Sequence, residues 1–416
     1  MRVCCGCWRW AASRASTGAG GAAWRAGAGT GGGYFVCWRV GLLRTLPRAE
    51  LRLVRVQRCS GRAPLRHNGG MEPNDRSFNN PPRADAGAPA PYAGLTPERV
   101  LDALDAVLAR GGRRTDGRLL ALNSYENRVY QVGIEDAAPL VAKFYRPGRW
   151  SDEAILEEHA FVAQLAEHEI PAVPAITLNG HALHEIDGFR FALFERRGGR
   201  APELDDSATL QWLGRFIGRI HAIGRQRDYV ARGALDIDTF GHEPRAYLLS
   251  SGFVPVELRQ AYETISQLAL DAVQASFERA GDVRALRVHG DCHQGNVLWT
   301  DAGPHFVDFD DSRMAPAIQD LWLLLPGERA QASRALGHVL AGYEDFCEFD
   351  SRELHLIEAF RTLRLIHYAA WLARRWDDPA FPAAFPWFNT HRYWEDRILE
   401  LREQVGALQE PPLWPV

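Results

Sequence analysis

The feature that most constrains the fold is a change of character at "RRGGR", residues 196–200. Upstream lie short runs rich in branched and aromatic residues, each bounded by turn formers, which is how strands read. They are "RLLALNS" (118–124), "NRVYQVG" (127–133), "PLVAKFYR" (139–146), a stretch around "AITLNGHALH" and "FRFALFE" (189–195). A helix interrupts them. Ser151 and Asp152 open "DEAILEEHAFVAQLAEHE", with Ile155, Val162 and Leu165 on one face, and "IPAVPA" ends it. Downstream the apolar residues recur at helical spacing instead. "TLQWLGRFIGRIHAIG" puts Leu210, Leu213, Ile217 and Ile220 on one stripe, and similar patterns cover roughly 256–280, 315–325, 328–344 and 352–376. The expected class is therefore α+β with two lobes: a small β-rich lobe over 95–197 and a larger helical lobe over 198–416. A further helix opens the first lobe, where Thr96 is placed to cap, Pro97 takes the first helical position and glycines stop the run.

Composition separates this body from what precedes it. Residues 1–70 carry twelve arginines, no lysine and one acid, Glu50, a net +11, which leaves −15 for residues 71–416. Five of the seven cysteines lie in that first segment. It has no strand or helix periodicity. A transit peptide, a basic arm or a Cys4/Cys5/Cys7 metal site are readings of it. The simplest is a disordered, non-native extension ahead of a functional chain that begins at Met71. Residues 71–94, "MEPNDRSF" followed by the Pro/Ala stretch "PPRADAGAPAPYAG", read as a disordered lead-in. The acidic body argues against nucleic acid, whose binding needs a positive field. No run of eighteen apolar residues occurs, so no membrane span is expected. Two cysteines far apart, Cys292 and Cys347, suit a reducing compartment.

The chemistry concentrates in "HGDCHQGNVLW" (289–299) and "HFVDFDD" (305–311). His289, Asp291 and His293 alternate as ligands of a metallohydrolase do. That reading leaves Asn296, Asp308 and the small lobe unused. Phosphoryl transfer uses more of the chain, because it needs a carboxylate to orient the acceptor hydroxyl, oxygen ligands for Mg²⁺ and a cation on the nucleotide phosphates. Asp291 supplies the first. Asn296, five residues on, supplies an amide oxygen, and Asp308, at the end of "FVD", a charged ligand bridging metal and phosphates. The spacing is that of a protein-kinase catalytic loop and metal aspartate. The cation is Lys143 in "VAKFY", a lone lysine on a strand where the other nearby basic groups are arginine. A buried lysine needs a partner. Glu158, on the apolar face of the following helix, is the first candidate and Glu157 the second.

Between the first two strands "LNSYENRVY" has no glycine, so its backbone N–H groups and the Ser124 hydroxyl would have to hold phosphate in place of a Gly-rich loop. "ALFER" occupies the place of a hinge for the adenine. His289 reads as structural and Cys292 as a filler of an apolar slot. His293 is either near the phosphates or packing the loop, and Asp310 and Asp311 either add metal charge or cap the next helix. Asp320 in "IQDLW" reads as a buttress of the catalytic loop.

These segments, with "GRFIGRIHAIG" upstream, resemble the aminoglycoside phosphotransferase and choline kinase superfamily. "LNSYENRVYQ", "VAKFYRPGRW", "ILEEH", "QDLWLLLPG", "RRWDDPAFPAAFPWF" and "LQEPPL" together look like the bacterial stress response kinase A family, from about residue 94 to the C-terminus. The resemblance implies a two-lobed protein-kinase-like fold. It also implies a cytoplasmic, ATP- and Mg²⁺-dependent serine/threonine protein kinase of the stress response; a monomer that can phosphorylate itself is the expected state of the chain. By position it makes Asp291 the proton acceptor, Asn296 and Asp308 Mg²⁺ ligands with Asp308 an active-site acid, Ser124 an ATP contact and Lys143 the phosphate anchor. Two departures from eukaryotic protein kinases stand out. Asp310 replaces the glycine that usually follows the metal aspartate's neighbour, and no A-P-E segment follows, so control by a phosphorylated activation loop is not expected. Residues 1–70 lie outside the pattern. A small-molecule kinase on the same fold is the alternative that the acidic body favours. A silent binding module is disfavoured by the complete set Lys143, Asp291, Asn296 and Asp308.

Overall fold

A computed structural model of the chain describes residues 90–415; the expectations for 1–70, and for the lead-in as far as residue 89, fall outside the described residues. The chain begins its regular structure with α1 (Pro97–Leu108), whose N-cap Thr96 accepts from the Arg99 amide. A five-stranded antiparallel sheet follows: β1 (Thr115–Ala121), β2 (Arg128–Ile134), β3 (Ala137–Phe144), then α2 (Asp152–Glu167), β4 (His184–Ile186) and β5 (Phe189–Glu195). The spatial order is β1-β2-β3-β5-β4. Alternation along β3 decides what faces what. Leu140, Ala142 and Phe144 pack into one apolar cluster with Val100, Leu104 and Leu108 of α1. Lys143 and Tyr145 therefore take the opposite face, toward α2 and the second lobe.

Two expectations change here. The stretch around 175–184 does not form a strand, because Asn179 and Gly180 both adopt positive φ (54° and 83°) and close a tight turn, leaving Leu178 and His181 as an isolated bridge. The strand is the shorter β4. The last residues of the lead-in are ordered: Tyr92 stacks on Phe189, lies under the Arg128 guanidinium at 4.3 Å and donates its hydroxyl to the Glu126 carbonyl at 3.0 Å.

The second lobe starts with α3 (Ser207–Gly224), capped by Asp206, and continues with α4 (Glu243–Ser250) and α5 (Val256–Ala280). Four short strands then carry the motifs: β6 (Leu286–Val288), β7 (Val297–Thr300), β8 (Gly303–Phe306) and β9 (Arg313–Ala315). β6 pairs with β9, and β7 with β8, both antiparallel. The loop 289–296 leaves β6 and enters β7, while 307–312 leaves β8 and enters β9. Both loops therefore emerge together beside the sheet of the first lobe. The remaining elements are α6 (Ile318–Leu321), α7 (Arg329–Tyr343), α8 (Ile357–Arg374), α9 (Ala380–Ala384) and α10 (His391–Gln409). One large apolar core runs through this lobe and reaches Phe161, Val162 and Leu165 of α2.

Candidate active site

Lys143 sits in the middle of β3, opposite Val129 of β2 and Ala192 of β5. It is only 7% exposed. Its Nζ lies 2.9 Å from Asp308 Oδ1 and 3.1 Å from Asp310 Oδ1. Burial alone would pull its pKa down. Asp308, Asp310 and, at longer range, Glu158 outweigh that and hold the ammonium well above its ordinary value.

The expected pairing of Lys143 with Glu158 is not the one formed. Glu158 is buried, but its ion pair at 3.2 Å is with Arg232. That guanidinium also donates to the carbonyls of Ala154, Asp310 and Ser312 and lies over the Trp150 ring. A planar donor fork that satisfies four acceptors at once outcompetes a single ammonium for the carboxylate. Glu157, the second candidate, accepts from the amides of Val230, Ala231 and Arg232 and so fixes the loop that delivers Arg232. The lysine's carboxylate partners come from the other lobe.

Asp308 follows β8 with φ 64° and ψ 62°, a left-handed conformation that aspartate tolerates better than most side chains. Its carboxylate stays 55% exposed beside the buried lysine. Asp310 is buried and receives Arg149, Lys143 and the Asn127 amide. Burial pushes its carboxyl up, but Arg149 and Lys143 outweigh it and hold the group below the usual carboxylate range. Arg149 also reaches Asp311 at 2.6 Å. Of the alternatives for Asp310 and Asp311, the structure favours neither helix capping nor direct exposure to a metal: both acids are engaged by arginine.

The loop 289–296 is fixed from behind. Asp320 of α6 accepts from the amides of His289 (2.7 Å) and Gly290 (2.8 Å) and from the ring of His221 (3.0 Å). His289 donates through Nε2 to the Val307 carbonyl at 3.0 Å and packs on Phe309. It is thereby committed to joining the two loops, which removes it from a His289–Asp291–His293 ligand set. Gly290 has φ 86°, and a Cβ there would stand 2.1 Å from the Asp311 carbonyl oxygen, so only glycine allows the loops to approach. Cys292 is fully buried.

Asp291 and Asn296 then face the cleft. The Asn296 Nδ2 donates to the Asp291 carbonyl at 3.0 Å, which leaves its Oδ1 as the atom a cation would take. The Asn296 carbonyl accepts from the Val307 amide at 3.0 Å, bringing that side chain's backbone to the strand end that carries Asp308. An amide oxygen and an exposed carboxylate are hard donors of the kind Mg²⁺ takes, with phosphate oxygens and water to complete its shell. The Asp291 carboxylate meets Arg364 of α8 at 2.8 Å and the His293 ring at 3.4 Å. Burial pushes it up, but Arg364 and His293 outweigh burial and hold it well below the usual carboxylate range. Ser124 lies half-buried in the β1–β2 connection. Its neighbours tie that connection down: Tyr125 packs on Phe385, Glu126 receives the Trp371 Nε1–H at 2.6 Å and Arg375 at 2.6 Å, and Asn127 holds both Asp310 and the Arg146 amide.

Arg364, Arg149, Arg232 and Glu126 were not singled out in the sequence. Each holds a partner more than seventy residues away, and no short motif signals such pairs.

Residues 118–357 match the phosphotransferase enzyme family. Stress response kinase A of Escherichia coli (strain K12) is 44% identical over 319 residues, covering 77% of this chain and 95% of that protein. The serine/threonine protein kinase RdoA of Salmonella typhimurium (strain LT2) is 42% identical over the same length and coverage. Among solved structures, an amicoumacin kinase in complex with AMP-PNP, Ca²⁺ and Ami superposes with a TM-score of 0.58 at 20% identity, covering 76% of this chain and 97% of that one. A microcompartment-associated aminopropanol kinase gives 0.57 at 19% identity, covering 73% and 98%. At those identities the structural likeness shows the fold: two-lobed, α+β and kinase-like.

Proposed function

The chain belongs to the phosphotransferase enzyme family and within it to the stress response kinase A proteins, and from that premise we propose that it transfers the ATP γ-phosphate to a serine or threonine hydroxyl of a protein. The reading includes Mg²⁺ as cofactor, a cytoplasmic setting, a role in the stress response, and self-phosphorylation as a side reaction. The boundaries 95–197 and 198–416 are taken for the two lobes. The observation that carries the proposal is the meeting of Lys143 with Asp308 at 2.9 Å, beside a loop that presents Asp291 and Asn296. Groups from two lobes thus converge where phosphates, a cation and an acceptor must meet.

The roles follow from the chemistry of each group. Bound Mg²⁺ would neutralise charge on the transferring phosphoryl group, held by the Asn296 Oδ1 and the Asp308 carboxylate. Lys143 moves from Asp308 and Asp310 toward phosphate oxygens when nucleotide enters. The Ser124 hydroxyl and the amides around it cover the phosphates. Asp291, kept ionised by Arg364, accepts the hydrogen bond of the acceptor hydroxyl and directs its oxygen. An anionic carboxylate of low basicity suits this reaction, whose loose transition state asks for orientation more than for early deprotonation. Glu158 supports the lysine through the field of its carboxylate rather than by direct contact.

The test is transfer from γ-labelled ATP by the purified chain with Mg²⁺, offered proteins, itself and a panel of small alcohols. Asp291→Asn serves as the control. Label on protein serine or threonine that falls by about 10²–10⁴-fold in Asp291→Asn is the expected result. Label on small alcohols alone would assign the chain to metabolite phosphorylation instead. Undiminished transfer by Asp291→Asn would overturn the site.

A further inference from the structure

We propose that the half-buried face of α8 is the acceptor-binding surface and that it selects a serine or threonine flanked by acidic residues, with Arg364 reading the acid nearest the reacting hydroxyl. The inference rests on the protein-kinase reading above and names the substrate class of that site.

After Glu358 the helix carries no acid, and its partly exposed residues at successive turns are Arg361, Arg364, Tyr368, Trp371 and Arg375, the last just past its end. Spacings of three and four put them along one side. This side runs from the catalytic carboxylate to the turn over the nucleotide, and at each end it already holds a carboxylate of the chain itself. Arg364 holds Asp291 at 2.8 Å; Trp371 Nε1 and Arg375 hold Glu126, each at 2.6 Å. Between them Tyr368 and Trp371 stack with ring centroids 5.6 Å apart and planes 14° from parallel, a flat apolar floor. A stripe of arginine and aromatic residues that binds carboxylates at both ends is complementary to an extended acidic segment.

Arg364 decides the sign of the preference. Its side chain is one-third exposed (34%) although it is paired. A hydroxyl must approach Asp291 to react, and whatever flanks that hydroxyl comes beside the guanidinium. A cationic flank meets like charge there. A carboxylate flank meets opposite charge at the exposed part of the guanidinium. Lys143 and Arg149 lie on the Asp308–Asp310–Asp311 side of the cleft, so the phosphates do not require Arg364. Arg364 is thus a specificity residue toward the acceptor and a positioning residue toward Asp291.

The experiment uses the full chain and three serine peptides of equal length, flanked by glutamates, alanines or arginines, at fixed salt. Wild type is compared with Arg364→Gln, Arg364→Lys and Arg364→Glu. The expected order of kcat/KM in wild type is glutamate, alanine, arginine. Arg364→Gln lowers the glutamate-to-alanine ratio by about tenfold, the size of one charge-assisted contact, chiefly through KM. Arg364→Glu reverses the peptide order, and Arg364→Lys restores part of it. An arginine-flanked peptide preferred by wild type, no preference at all, or a preference that survives Arg364→Gln would each overturn the proposal. Should Arg364→Gln melt early, the wild-type order and Arg364→Lys decide. A wild-type sample that phosphorylates a small alcohol but no peptide overturns the protein-acceptor reading, and this inference with it.

Discussion

Lys143 is the only lysine in a chain with forty-eight basic residues, and its surroundings explain why arginine does not stand there. The ammonium fills a buried slot between Asp308 and Asp310, where a compact point charge fits and a planar fork would need room for further partners. Lys143→Arg and Lys143→Met are both expected to lower turnover by roughly 10²–10³-fold, the usual effect of removing one preorganised charge from a reacting centre. Lys143→Met keeps its fold, because Asp310 retains Arg149. Steady-state rates beside melting curves check this, and turnover within a few-fold of wild type in Lys143→Arg would show that the site needs charge but not this geometry. The groups that meet in the candidate site were legible in the sequence because their relations are local: Asp291 to Asn296 is a loop spacing, and a lone strand lysine is conspicuous. Partners were not legible. Glu158 pairs with Arg232, 74 residues away in the chain, and Arg364 meets Asp291 across 73 residues; only the packed structure decides between one distant cation and another.

At the scale of elements, α6 is a four-residue helix, yet it carries Asp320, which fixes the loop that bears Asp291. Its start is held in turn by Glu353, whose carboxylate accepts from the Ile318 amide at 2.8 Å. Burial pushes the Glu353 pKa up to about 7, against the lowering effect of that hydrogen bond. Asp350 pushes the same way as burial, and Arg225 opposes it. The folded state thus binds a proton that the unfolded state has released once pH passes the ordinary glutamate range. Stability from this group is complete below about pH 4.5 and declines as pH rises through about 7, by at most about 3–4 kcal/mol at roughly 1.4 kcal/mol per pKa unit. Glu353→Gln keeps an acceptor oxygen without the titration. It is expected to match wild type near pH 5 and to exceed it near pH 8, measured by urea unfolding. A difference between the two proteins that stays constant with pH would remove Glu353 as the cause. Elements with strong periodicity, such as α2, α3, α5 and α7, were legible, as were β2, β3 and β5 to within a few residues. The strand expected near 175–184 was lost to an Asn-Gly turn. α10 was missed because its buried residues, Tyr393, Trp394, Ile398, Leu401 and Leu408, are spread thinly among charged ones.

At the scale of the two lobes, ion pairs bring them together. Arg128 and Arg146 of the first lobe converge on the buried Asp378 of the second at 3.2 and 2.9 Å, and Arg149 reaches Asp310 and Asp311. Glu126 runs the other way, from the β1–β2 connection to Trp371 and Arg375. The β1–β2 connection is therefore clasped to the second lobe by its side chains. If the clasp holds the form that takes ATP, loosening it lowers the competent fraction and raises the apparent KM in proportion. Asp378→Asn weakens two ion pairs while keeping side-chain size, and the expected result is a rise in the ATP KM of about tenfold with a smaller change in kcat, on the order of one lost charge interaction. The sign of the change carries the information. A lower KM in Asp378→Asn would mean that the clasp holds the cleft shut against nucleotide, and that Lys143, paired with Asp308 and Asp310, waits behind it.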